Sequence, residues 1–266
     1  MWLIGKLPLK ILYWISWSLS YIWWTLLPIR RQVAIDNLTL AFPDQDPRPL
    51  ARRMMAELAL SYLELNKYQH NPDAHTDMVS FTGLENLKPG SILLSGHGGA
   101  WDLCMLSISA QSKGTFSCIV REPSSPYARA YIKRARVAAG LGLLEPSGSM
   151  PAVYSTLKAG GVMIFVIDQR YNAGVQVPFF GKNALTTPAL AAAARKTEAP
   201  VHLAWPRRVG LGRHTVNISE EIQHTWTQDR QADLLNATIK YNEAIEAQIR
   251  LAPHSWLWLH KRWRQP

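Results

Sequence analysis

Beyond about Val79 four short, β-rich apolar runs alternate with stretches of helical length: Ile92–Ser95, Thr115–Val120, Val162–Asp168 and Val201–Pro206. The helical stretches are roughly Ala100–Ala110, Tyr127–Ala139, Met150–Ala159 and Pro188–Thr197. Alternation of this kind predicts an α/β fold, a largely parallel central sheet with helices on both faces. In such sheets ligands bind beyond the carboxyl ends of the strands, so the residues that follow each run are the first to search. With 266 residues the chain can bury a core of this size. No internal repeat, low-complexity tract or linker divides it. Upstream, a helical stretch ends near NLTLAFP (37–43), and Asp46 and Pro47 open a second helix over about Pro49–Lys67.

The amino-terminal part has a different character. Ile11 to Ile29 runs nineteen residues without a charge, between Lys6 and Lys10 on one side and Arg30 and Arg31 on the other. A helix of that length is about 28 Å long at ~1.5 Å per residue, close to a hydrocarbon core. Its Trp and Tyr residues suit the interfacial zone. The run is expected to be an N-terminal membrane-anchoring helix, spanning the bilayer or lying in its surface plane, with a buried Trp-rich helix as the bland alternative. A signal peptide fits poorly, because no small-residue cleavage site follows. The expected organisation is an anchor over 1–31 and a second unit over 32–266.

Lys and Arg number 29 against 19 Asp and Glu, a formal net charge of +10, which favours partners carrying phosphate or sitting on an anionic surface. At the other end, a helix over about Asp229–Arg250 is stopped by Pro253, and SWLWLHKRW follows. Its interleaved Trp256, Trp258, Lys261, Arg262 and Trp263 suit a headgroup zone or a polyanion, or else packed rings with solvated cations. Two cysteines, Cys104 and Cys118, are too few for a disulfide scaffold or a cysteine zinc site.

The first strand runs into SGHGGAWDL, with four residues between His97 and Asp102. Five helical positions are about 500°, which leaves the side chains about 140° apart. They converge only if His97 lies in the turn before the helix and Asp102 in its first turn or two. The chemistry served by such a pair is general-base activation of a hydroxyl or amine, the carboxylate fixing the imidazole tautomer. A structural histidine is the competing reading. Arg121, at the end of the second strand, could clamp a phosphate or pantetheine-like group or an oxyanion, or be a surface residue. Asp168 ends the third strand at the same edge. Phe179 and Phe180 are core or the wall of an apolar ligand site. On the helix that follows Arg121, Arg129, Lys133 and Arg136 form a row, a solvated face or a seat for an acidic carrier or lipid headgroups. No G-x-S-x-G, G-x-x-x-x-G-K-[ST] or G-x-G-x-x-G occurs, which argues against a serine hydrolase and the common nucleotide folds. No third ligand for a metal at His97 and Asp102 can be placed.

The ordered set of motifs resembles the bacterial lipid A biosynthesis (late) acyltransferases, the lauroyl and myristoyl transferases of the glycerolipid acyltransferase-like superfamily. It comprises NLTLAFP at 37–43, SGHGGAWDL at 95–103, VREPSSP at 120–126, GGVMIFVIDQRYNAGVQVPFFGKNALTTP at 160–188, EAPV at 198–201 and SWLWLHKRW at 255–263. The resemblance implies acyl transfer from an acyl carrier protein or acyl-CoA thioester to a hydroxyl of a lipid A precursor or related membrane glycolipid. It places that work at the cytoplasmic face of the inner membrane, in lipopolysaccharide biosynthesis, with no cofactor. By the family's motifs His97 is the general base, Asp102 its orienting partner, Arg121 a contact to phosphate or donor, and Asp168 the aspartate of a third motif. Backbone N–H groups around Gly98 and Gly99, or Arg121, would stabilise the tetrahedral oxyanion. Without an activated Ser or Cys beside the base, direct attack fits better than an acyl-enzyme. The chain departs from the familiar His-x-Gly-Asn-Trp-Glu in having Ala100 and Asp102, which leaves the acceptor less defined than the reaction.

Two other classes compete. A non-catalytic membrane lipid-binding or scaffold protein that keeps the fold would not need His97. A nucleic-acid-binding protein would use the positive charge, but it needs the apolar run as buried core, and no nucleic-acid motif is present.

Overall fold

The computed structural model describes residues 2–70, 75–111, 116–120 and 125–263. Five helices come first: α1 (Trp2–Lys6), α2 (Leu9–Thr25), α3 (Arg31–Ala41), α4 (Pro47–His70) and α5 (His75–Met78). Strands and helices then alternate through β1 (Val79–Thr82), β2 (Ile92–Ser95), α6 (Trp101–Gln111), β3 (Phe116–Ile119), α7 (Pro126–Ala138), β4 (Gly142–Leu144), α8 (Met150–Lys158) and β5 (Val162–Val166). The chain continues through β6 (Val175–Phe179), β7 (Lys182–Thr186), α9 (Ala189–Thr197), β8 (Val201–Gly210), β9 (Arg213–Glu221) and α10 (Arg230–Leu251).

Seven strands form one sheet in the order β1-β9-β8-β2-β5-β3-β4. Every neighbouring pair is parallel except β8 with β9, which form an antiparallel hairpin. The fold is thus α/β with a mostly parallel central sheet. β2 and β5, at its centre, are almost wholly buried and read as unbroken apolar runs, as strands covered on both faces must. The pleat sends Ile92 and Leu94 into one core with α8, α9 and α10, and Leu93 into another with α6. Cys104 and Cys118 are buried free thiols in that second core, and burial pushes the Cys118 thiol up to about 11.

Of the two ways expected for the anchor to meet a bilayer, the spanning one is not found among the described residues. α2 holds 17 residues, ends before the apolar run does, and buries Leu12, Ser16, Ser20 and Trp23 against the protein. Ser20 Oγ donates to the Arg52 carbonyl of α4 at 2.6 Å. A helix packed along one that carries Arg52, Arg53 and Glu57 cannot be surrounded by acyl chains, because those charges would have to leave water with it. Among the described residues, no helix is long and apolar enough to cross a membrane. The opposite face of α2 and the turn after it expose Ile11, Trp14, Tyr21, Leu26, Leu27 and Ile29.

The carboxyl-terminal segment takes the packed alternative, with one departure. Trp256, Trp258 and Trp263 are buried, but so is Arg262, rather than solvated. Arg262 donates to the Leu185 carbonyl and to Thr186 Oγ1 and lies over the Phe179 ring. Of the two readings for Phe179 and Phe180 the structure takes the core one, in a β6–β7 hairpin. That hairpin turns at Phe180 and Gly181, both with positive φ (52° and 73°). A two-residue turn of this hand matches the strand twist, and Phe180 tolerates the strain because its ring packs against Phe42, Trp258 and the Arg250 guanidinium.

Candidate active site

β2 and β5 are hydrogen-bonded neighbours in parallel register, so the residues after their carboxyl ends emerge side by side. Gly96, His97, Gly98 and Gly99 form the turn from β2 into α6, and Asp168 stands two residues beyond β5. His97 Nδ1 lies 2.8 Å from Asp168 Oδ1, and the His97 backbone N–H donates to Asp168 Oδ2 at 2.7 Å. The Trp256 indole N–H also donates to Oδ2, at 2.7 Å. The imidazole is 21% exposed and the carboxylate 1%. An ionised carboxylate on Nδ1 keeps the hydrogen there and leaves the lone pair on Nε2. The Gln169 amide donates to that Nε2 at 3.2 Å.

Electrostatics agree with this arrangement. Burial alone would lower the His97 pKa, but the charge and hydrogen bond of Asp168 raise it above its ordinary value, with Asp102 adding and Arg136 opposing. Burial works against Asp168 ionisation too, yet the His97 charge and the bonds from His97 and Trp256 hold its pKa down at about 2. Beside the pair, His260 Nε2 accepts from the Arg170 backbone N–H at 2.9 Å. Burial, with Arg262, His97 and Arg30 nearby, brings His260 down to about 4, so it is neutral and an acceptor at pH 7.

The expected residues do not all meet. His97 lies in the turn and Asp102 in the first turn of α6, as convergence required, but the Asp102 carboxylate is taken by Arg136 of α7 at 2.8 Å. Asp102 therefore acts on His97 through its charge and not through a hydrogen bond. Asp168 is buried and bonded to His97, with no face toward a substrate. The Gly98 and Gly99 N–H groups, expected at an oxyanion, already donate to the Gly96 and Ser255 carbonyls at 2.9 and 2.8 Å. These glycines serve close packing instead: a Cβ on Gly98 would stand 2.5 Å from the Trp205 ring, and Gly99 has a φ of +54°. Arg121 lies outside the described residues.

Sequence reading missed Gln169, His260 and Trp256 as parts of the site. DQR and SWLWLH were visible as motifs, but nothing in them marks which side chain turns inward. No group of three or more His, Cys, Asp or Glu that could hold a metal ion occurs among the described residues. What the arrangement can do is take a proton: an oriented, partly exposed imidazole, backed by a buried carboxylate, has its Nε2 met by the Gln169 side-chain amide at the edge of the sheet where ligands bind.

Residues 1–265 match the family of bacterial lipid A biosynthesis acyltransferases, and the chain belongs to that family. It is an acyltransferase acting on a lipid. Among solved structures it is similar to the crystal structure of the 1-acyl-sn-glycerophosphate (LPA) acyltransferase from Thermotoga maritima. The two share 15% identity and a TM-score of 0.41, over 90% of this chain and 97% of that one. No curated protein matches the chain.

Proposed function

We propose that this acyltransferase moves a fatty acyl chain from an acyl carrier protein or acyl-CoA thioester to a hydroxyl of a lipid A precursor or related membrane glycolipid. The observation that carries the reading is the His97–Asp168 pair, with Nε2 turned away from the carboxylate and met by the Gln169 amide. The acceptor hydroxyl displaces the Gln169 amide and gives its proton to Nε2 as its oxygen attacks the thioester carbonyl. Asp168 stabilises the imidazolium that forms, as its charge already does at rest. The tetrahedral intermediate collapses with cleavage of the carbon–sulfur bond, and the imidazolium returns the proton to the leaving thiolate. Family motifs gave the orienting role to Asp102; the hydrogen-bond geometry favours Asp168, with Asp102 holding α6 to α7 through Arg136.

The acceptor is a membrane lipid, and the exposed apolar face of α2 suits docking in the surface plane. Lys10 and Arg30 flank it, placed for anionic headgroups. The working location is the cytoplasmic side of the inner membrane. Mass spectrometry of the membrane glycolipids, with the wild-type protein, without it, or with His97→Ala, tests the reading. One glycolipid gaining an acyl-chain mass only with the wild type supports it and identifies both chain and acceptor. Identical lipids in all three, with a folded variant on the membrane, overturn the assignment.

A further inference from the structure

Ser255, Trp256 and Leu257 lie against the catalytic turn as a short strand would. The Gly99 N–H donates to the Ser255 carbonyl at 2.8 Å, and the Leu257 N–H to the His97 carbonyl at 3.1 Å. Between them Trp256 pairs with Gly98 in an antiparallel bridge. Its own indole N–H reaches across to Asp168 Oδ2. The buried Trp256 thus sits between the two backbone bonds that Ser255 and Leu257 make to the turn after β2, and holds the carboxylate after β5 by its side chain. With Oδ2 occupied by two donors, Trp256 Nε1 and His97 N, only Oδ1 faces the imidazole.

We infer that Trp256 is a positioning residue for the transfer reaction, setting the angle and basicity with which Asp168 meets His97. The inference rests on the reading of His97 as general base. It predicts more than a packing role does. An indole donor withdraws charge from the carboxylate, so its removal makes Asp168 more basic and favours the protonated imidazole. The other groups stay in place: Asp102 of α6 and Arg136 of α7, whose charges reach His97, and the neutral His260 beside the pair with Arg30 and Arg262 around it.

The test is the pH dependence of acyl transfer by the full chain carrying Trp256→Phe, beside Trp258→Phe as the control. Trp258 is equally buried in the same segment, and its indole donates to the Pro253 carbonyl instead. Expected for Trp256→Phe is a kcat lower by about tenfold at unchanged KM, with the acidic limb moved up by about half a pH unit. Trp258→Phe should lower the melting temperature comparably and leave the limb in place. If Trp256→Phe destabilises without moving the limb, or if both variants move it alike, Trp256 is only packing and the inference fails. A wild-type profile with no acidic limb, or activity surviving His97→Ala, would instead remove the base reading itself. Should Trp256→Phe not fold, benzothienylalanine at 256 keeps the ring shape and deletes the donor, and the same two outcomes decide.

Discussion

His97 with Asp168 and His214 with Glu64 are both imidazole–carboxylate pairs, at nitrogen–oxygen distances of 2.8 and 3.0 Å. The second pair is sealed, with both side chains 0% exposed. Glu64 is shared there between His214, the Arg208 guanidinium and the Gly212 N–H, so the cluster ties α4 to the β8–β9 hairpin. The other ring nitrogen of His214 has no partner among the described residues and no opening to solvent. The His97 side chain is 21% exposed, and its second nitrogen is met by a side-chain amide. The contrast teaches that a histidine on a carboxylate is not by itself a site; access to the remaining lone pair makes it one.

Exchanging the chemistry of each pair should therefore break different things. The largest effect expected is on Asp168→Asn, which keeps the volume but reverses which His97 nitrogen carries the hydrogen. Turnover should fall by roughly 10³–10⁴ with the melting temperature little changed. Equal activity would make Asp168 incidental. Glu64→Ala leaves the buried His214 without its carboxylate and Arg208 with Glu57 alone, and should cost about 3–5 kcal/mol in denaturant unfolding. Activity per folded molecule should survive it; loss of turnover without loss of stability would erase the distinction between the pairs.

Acid should separate them as well. His97 must be neutral to accept a proton, so kcat/KM should fall as pH falls through its raised pKa, above the ordinary ~6.5. The stability from that raised value is present below about 6.5 and lost as pH rises through the folded pKa. Glu64 runs the other way. Burial opposes its ionisation, but His214 and Arg208 hold its pKa below the ordinary range. Its stabilisation is therefore present above about pH 4.3 and lost as pH falls through the folded value. Activity and unfolding followed across one pH series should show two separate transitions. The smallest effect belongs to Asp102→Asn, about tenfold or less in kcat, because Asp102 reaches His97 only by charge while Arg136 screens it. A loss matching Asp168→Asn would return the orienting role to Asp102.

Legibility in the sequence followed physical cause. β2 and β5 were readable almost to the residue because strands buried on both faces are apolar throughout. β9 was missed because Arg213, Asn217 and Glu220 break the apolar pattern, and the β6–β7 hairpin because its turn uses Phe180 where Asn or Gly is usual. The apolar run of α2 misled on spanning because periodicity does not say that one face will meet a charged helix. His97 was legible at its strand end, but its partner was not. Asp102 is five residues away and Asp168 is 71, and the second pairing depends on β5 lying next to β2, which alternation of elements does not encode.

The strap over His97 has a kinetic meaning too. Asp168 and Trp256 are 88 residues apart, and Asn37 holds the Trp258 carbonyl across 221. Contacts of such separation form late, after nearby helices and hairpins, because the intervening loop must close before they yield anything. In a refolding experiment helical signal should therefore recover before catalytic competence, and the lag between them would time the moment at which the last segment closes onto the turn.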